Sequence, residues 1–124
     1  MIIGIGTDIV NINRIEKIIN KFGEQFLLRI LHPEEYQKLK AIEPKLQARF
    51  LARRFAGKEA IAKAIGSGIN LGLRFKDIAI INDDLGKPIA KIYNRLLESM
   101  GNYKVNISLS DDYPVAMALV VLSR

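Results

Sequence analysis

The stretch from Lys45 to Ile65, KLQARFLARRFAGKEAIAKAI, decides how the rest of the chain is read. Leu46, Phe50, Leu51, Phe55, Ile61 and Ile65 fall on one broad face at helical spacing, which predicts a long central helix. Gly66-Ser67-Gly68 ends it, and small residues carry the chain as a loop to Leu73. Inside the helix Ala56, Ala60, Ala62 and Ala64 add little bulk, so a ligand or a second backbone can come close. Glu59 and Lys63 are four apart and share a face. That spacing is also what an ordinary exposed ion pair shows, at about 0.3 kcal/mol.

On the N-terminal side, Met-Ile-Ile-Gly-Ile-Gly-Thr-Asp-Ile-Val from Met1 to Val10 is rich in β-branched residues, and its glycines suit a strand closely approached by other backbone. Asp8 falls near the end of that strand, where it suits a cap or turn as well as a functional carboxylate. Ile15, Ile18, Ile19 and Phe22 predict a short helix stopped at Gly23, and Pro33-Glu34-Glu35 reads as the first turn of another. On the C-terminal side, Asp77 to Ile81 reads as a strand, Asn82 to Pro88 as a turn and Tyr93 to Met100 as a helix stopped by Gly101. Val105 to Ser110 and Val115 to Leu122 then form a hairpin across Asp111-Asp112-Tyr113-Pro114. Short strands interspersed with helices, ending in a hairpin, predict an α+β fold with a small sheet on the long helix.

The size, 124 residues, predicts one domain, 1–124. With 49% hydrophobic residues and four prolines, the chain can bury enough apolar surface to fold. Without cysteine there is no disulfide, thiolate site or cysteine nucleophile, so any chemistry uses oxygen and nitrogen groups. No apolar run approaches the roughly 18 residues of a membrane span, and no signal peptide is evident, which predicts a cytoplasmic protein. The net charge of +6 favours an anionic partner without choosing among nucleic acid, membrane, phosphate ligand or acidic protein.

Asp8 and Glu59, two oxygen ligands from separate elements beside Lys63, suit magnesium, which takes one or two carboxylates and completes its shell with water and substrate phosphate. Zinc is disfavoured by a single histidine and no cysteine. Arg49, Arg53, Arg54 and Lys58 precede or overlap this segment. A solvated helix face accounts for at least two of them, and Arg54 is the choice for bidentate phosphate binding. Arg14, Lys17 and Lys21 align on one face of the first helix, a basic stripe open to solvent or to an acidic helical partner. His32, beside Pro33, takes no catalytic role. No aromatic block or basic helix–turn–helix pattern supports a nucleic-acid module, so charge is its only argument. A magnesium-dependent nucleotide hydrolase using the same carboxylates is a second alternative.

With these residues in place, the chain resembles the bacterial holo-acyl-carrier-protein synthases, small phosphopantetheinyl transferases. The resemblance spans essentially the whole chain. It rests on Gly6-Thr7-Asp8 followed by Arg14, on Arg54-Phe55-Ala56-Gly57-Lys58-Glu59-Ala60 continuing to Lys63-Ala64 and Gly66, on Gly86-Lys87-Pro88 and on Ser108-Leu109-Ser110. It implies the α+β phosphopantetheinyl transferase fold, assembled as a homotrimer with each active site between neighbouring subunits. It also implies transfer of 4'-phosphopantetheine from coenzyme A to an acyl carrier protein in fatty acid biosynthesis, with neither nucleic acid nor membrane as partner. Asp8 and Glu59 match metal-binding positions, Lys63 a position near the transferred phosphate, and Arg54 a coenzyme-binding one. Gly66, Gly86, Lys87, Pro88, Ser108 and Ser110 match coenzyme contacts. Arg14 matches a position that meets the acidic carrier protein, and Lys17 and Lys21 continue its basic stripe. Asp111 departs from the pattern, since a histidine often follows Ser-x-Ser/Thr in relatives.

Overall fold

The architecture follows from one close crossing of a strand and a helix. In the computed structural model, which describes residues 1–66, 72–94, 98 and 101–124, strand β1 (Ile2–Asn11) lies against helix α4 (Pro44–Ile65). Side chains alternate along a strand, so Gly4, Gly6, Asp8 and Val10 face the helix while Ile3, Ile5, Thr7 and Ile9 face away. A Cβ on Gly4 would sit 2.0 Å from the Ala64 carbonyl oxygen, and one on Gly6 2.0 Å from the Ala60 oxygen. Only glycine fits at either position. The spacing also matches: two strand residues advance about 6.6 Å and four helical residues about 6 Å, so both glycines meet an alanine in step.

Strand β1 is one edge of an antiparallel sheet of order β1-β5-β4, with β4 spanning Lys104–Asp112 and β5 Val115–Ser123. Ala116, Ala118, Val120 and Leu122 of β5 are buried beneath α4, and Asp8 is paired with Ala118. A second antiparallel pair, β2 (Ile78–Asn82) and β3 (Pro88–Ile92), follows a 3-10 turn at Phe75–Asp77. Three short helices precede α4: α1 (Ile12–Phe22), α2 (Glu24–Ile30) and α3 (Pro33–Lys40). Asn11 caps α1 by accepting from the Arg14 backbone N–H at 3.2 Å, and His32 and Glu35 form a capping box on α3. Among the described residues no helix is long and apolar enough to cross a membrane.

Solvent reaches Arg49 and in part Arg53 on this segment, but not Lys58. Its side chain is wholly buried, as is that of Glu35 on α3, and the two form an ion pair. The ammonium also donates to the Ile30 carbonyl at 2.6 Å, while the carboxylate accepts from the His32 and Ile80 backbone N–H groups at 3.0 and 3.1 Å. Burial lowers the Lys58 pKa, and the Glu35 charge and hydrogen bond oppose that shift. One buried pair thereby ties α4 to α2, α3 and β2.

The predicted central helix, first strand, first helix, Pro33 turn and closing hairpin are all present. The apolar face differs in detail. Phe50, Leu51 and Ile61 are buried, but Leu46 is exposed and the alanines supply much of the contact, because the nearest neighbour is backbone rather than side chain. Helix α2 and strand β3 were not predicted. The first has a single buried residue, Leu27, and the second follows a turn whose reading ran to Pro88. The loop after Gly66 and most of the helix expected from Tyr93 to Met100 lie outside the described residues.

Truncating Lys58 to Ala leaves Glu35 buried without its counter-charge and should cost about 3–5 kcal/mol in urea unfolding. The double variant Lys58→Met, Glu35→Leu should recover most of that loss. A single variant within about 1 kcal/mol of wild type would contradict the pairing.

Candidate active site

The close crossing carries Asp8 to the helix, because it is the next inward-facing residue of β1 after Gly4 and Gly6. Asp8, Asn11, Arg14, Phe55, Glu59 and Lys63 line a cleft of about 330 Å³. Lys63 donates from Nζ to Asp8 Oδ1 at 3.1 Å and to the Thr7 carbonyl at 3.0 Å, and so bridges α4 to β1. Desolvation raises the Glu59 pKa from its ordinary value, repulsion from Asp8 raises it further, and Lys63 opposes both. Two carboxylates and an ammonium from distant parts of the chain thus share one small, partly shielded space.

This is a donor set that fits magnesium. The repulsion between Asp8 and Glu59 is what a divalent cation would relieve, and the cleft is open enough for substrate phosphate to complete the shell. Among the described residues no group of three or more His, Cys, Asp or Glu converges.

A second cleft, of about 390 Å³, is lined by Lys38, Phe50, Arg53, Arg54, Asn82, Gly86, Pro88 and Asp111. Arg54 is buried, stacked 4.2 Å over the Phe50 ring, and donates from Nη2 to Asn82 Oδ1 at 2.7 Å. Its pKa is lowered to about 10 by burial, with Glu35 opposing and Arg53 adding to the shift. Its Nε is buried with no hydrogen-bond partner. Asn82 in turn donates to the Gly86 carbonyl at 2.8 Å, and Asp83 accepts from the Leu85 and Lys87 backbone N–H groups, both at 2.9 Å. Gly86, with φ of 86°, closes that turn in a conformation few side-chain-bearing residues adopt. Arg54 therefore holds the β2–β3 turn in place.

The structure brings Asp8, Glu59, Lys63 and Arg14 into the first cleft, and Arg54, Gly86 and Pro88 into the second. Arg54 and Glu59 are five residues apart, about 140° around a helix, so the two clefts open on different sides of α4. The remaining sequence-predicted residues line neither. Lys87 is exposed on the turn, Gly66 caps the end of α4, and Ser108 and Ser110 point outward from β4. Lys17 and Lys21 are exposed on α1. Asp111 belongs to β4 rather than a turn and accepts from Arg53 Nη1 at 2.8 Å. The sequence reading missed Asn82 and Lys38, which carry no spacing signal; Asn82 could have been flagged only as the first residue of a turn.

Glu59 gives a pH prediction. For an acid whose folded pKa is raised, the favourable contribution is complete below the unfolded pKa and is lost as pH rises through the folded one. Without divalent cation, Glu59→Gln should therefore melt at a higher temperature than wild type at pH 7, and the gain should vanish below about pH 4. A variant no more stable than wild type at pH 7 would contradict the repulsion.

The chain is similar to known proteins in both sequence and fold. The model of the 4'-phosphopantetheinyl transferase superfamily matches residues 4–118. A holo-[acyl-carrier-protein] synthase of Orientia tsutsugamushi, strain Ikeda, is 50% identical over 128 residues, covering 99% of this chain and 98% of its own. The crystal structure of the holo-[acyl-carrier-protein] synthase of Neisseria meningitidis superimposes with a TM-score of 0.90 at 42% identity, over the full length of both chains. That of Bacillus anthracis, in complex with CoA (3',5'-ADP), does so with a TM-score of 0.83 at 42% identity, over 98% of this chain and 96% of its own. Sequence, fold and extent of match agree, and the chain belongs to the holo-[acyl-carrier-protein] synthases of the 4'-phosphopantetheinyl transferase superfamily.

Proposed function

We propose that the chain, acting as a single domain of residues 1–124 in the cytoplasm, transfers 4'-phosphopantetheine from coenzyme A to a serine of apo acyl carrier protein for fatty acid synthesis. Adenosine 3',5'-bisphosphate is released. The observation that carries this reading is the first cleft, where Asp8 and Glu59 share a space bridged by Lys63. Family membership and the relative solved with CoA (3',5'-ADP) support the substrate class.

The serine hydroxyl attacks the β-phosphate, forms the new P–O bond and expels the bisphosphate, so the step needs a proton acceptor and compensation for phosphate charge. We assign Glu59 as first choice of acceptor, directly or through metal-bound water, and Asp8 as second. Asp8 and Glu59 would hold magnesium, which supplies charge neutralisation and alignment to the pyrophosphate when bound. Lys63, more than half exposed at its side chain, can turn from Asp8 to phosphate oxygens and stabilise the charge that gathers there.

Arg54, Gly86 and Pro88 belong to a coenzyme-binding half-site, in keeping with the guanidinium fork and its unpartnered Nε. Lys87, Gly66, Ser108 and Ser110 are assigned to the same ligand from the family pattern. Since the two clefts open on different sides of α4, a neighbouring copy must complete each site. The outer sheet face suits that contact: Ile3, Ile5, Ile9, Met117 and Leu119 form an apolar patch, each at least 40% exposed. A head-to-tail contact closing on itself gives the homotrimer of the family pattern. Arg14, on the rim of the first cleft, continues into exposed Lys17 and Lys21, a stripe suited to an acidic carrier helix.

Incubation with coenzyme A, magnesium and apo carrier protein should add one phosphopantetheine mass to the carrier. Nucleotide loss without that gain would instead indicate hydrolysis. Asp8→Asn and Glu59→Gln should each lower kcat/KM by at least about a hundredfold with the fold intact. Near-normal activity in either would overturn its role. Arg14→Glu should raise KM for the carrier more than for coenzyme A, and equal effects would remove the docking assignment. Ile5→Glu should yield an inactive monomer by light scattering; an active monomer would contradict the shared site.

A further inference from the structure

The second cleft contains a charge that its assigned ligand does not want. Lys38, Arg53 and Arg54 line it, as befits a phosphate-bearing nucleotide, yet the Asp111 carboxylate lines it too. Asp111 Oδ1 accepts from Arg53 Nη1 at 2.8 Å, and Oδ2 lies 4.0 Å from Arg49 Nη1. Arg49 and Arg53 are one helical turn apart on α4, so they flank the carboxylate. The Asp111 and Arg53 side chains are only 21% and 28% exposed, so solvent screens this pair incompletely.

The backbone at Asp111 is held by contacts other than its side chain. The β4–β5 ladder holds it through Ala116, and the turn beyond it is fixed by the Ile12 N–H donating to the Pro114 carbonyl at 2.8 Å. Arg54, in contrast, is already oriented by Asn82 and Phe50 without any carboxylate. The charge of Asp111 therefore acts chiefly on Arg53, and through it on whatever anion enters.

We infer that Asp111 is a built-in counter-ion that competes with the phosphates of the nucleotide for Arg53 and so weakens the hold on coenzyme and on the bisphosphate product. This inference rests on the assignment of the second cleft to the coenzyme. It makes Asp111 a specificity-determining residue: the penalty from one fixed negative charge grows with the negative charge of the ligand, so it is larger for coenzyme A than for dephospho-coenzyme A. A product held less tightly also leaves faster.

The test is titration calorimetry with adenosine 3',5'-bisphosphate and adenosine 5'-monophosphate at fixed ionic strength, on wild type, Asp111→Asn and Asp111→Glu. Asparagine keeps an acceptor for Arg53 and removes the charge. Asp111→Asn should bind the bisphosphate about tenfold more tightly, a change of about 1.4 kcal/mol, and the monophosphate with a smaller gain. Its KM for coenzyme A should fall more than that for dephospho-coenzyme A, and added salt should shrink both gains. Asp111→Glu keeps the charge and should show no gain. In an Arg53→Gln background the gain from Asp111→Asn should be reduced. Unchanged or weaker bisphosphate binding in Asp111→Asn, in a variant that melts like wild type, would overturn the counter-ion role. Failure of wild type to bind coenzyme A at all would instead sink the assignment of the cleft.

Discussion

Backbone-to-backbone contact between β1 and α4 is the constraint on which the rest of the molecule depends. Gly4 and Gly6 place the strand where any side chain would collide with the carbonyl oxygens of Ala64 and Ala60. With no side-chain layer between helix and strand, the short Asp8 side chain can share a cleft with Glu59 and Lys63. A wider separation would leave the aspartate too short to reach the same ligand as a helix-borne glutamate. The small residues of the two segments are therefore part of the site, although none of them does chemistry.

Helix α4 distributes three tasks around its circumference. Lys58 points into the protein and fixes the helix to α2, α3 and β2, while Glu59 and Lys63 face the carboxylate cleft. Arg53 and Arg54 face the cleft beside the β2–β3 turn. A buried ion pair of this kind is weak evidence for stability, since well-packed apolar residues often serve as well. What the pair supplies here is a set of directional hydrogen bonds that one rotation of the helix satisfies, and that rotation sets which residues face each cleft. The same division explains why the two clefts open on different sides of α4.

Much of this was legible in the residues. The long helix announced itself by apolar periodicity, and the alternation of glycine with isoleucine in β1 marked a backbone approached from one side. The alanines of α4 were open to two readings, a ligand or a second backbone, and the neighbour proved to be β1. The burial of Lys58 was not legible because local spacing shows only which helix face a residue shares; its partner Glu35 lies on another helix. Asp111 and Asn82 were hidden for the same reason. Their partners, Arg53 and Arg54, are remote in sequence, and a short polar residue near a turn carries no mark of what it will meet. The separation of Arg54 from Glu59 could have been drawn from helical geometry, since five residues place them on different sides of α4.

We propose that the β1–α4 contact makes Asp8 and Glu59 a single divalent-cation site. Its most direct test is calorimetric titration of Mg²⁺ into the protein saturated with coenzyme A, for wild type, Asp8→Asn and Glu59→Gln. One Mg²⁺ should bind per chain in wild type, and that binding should be lost in each variant. Magnesium binding of unchanged affinity and stoichiometry in either variant would contradict it.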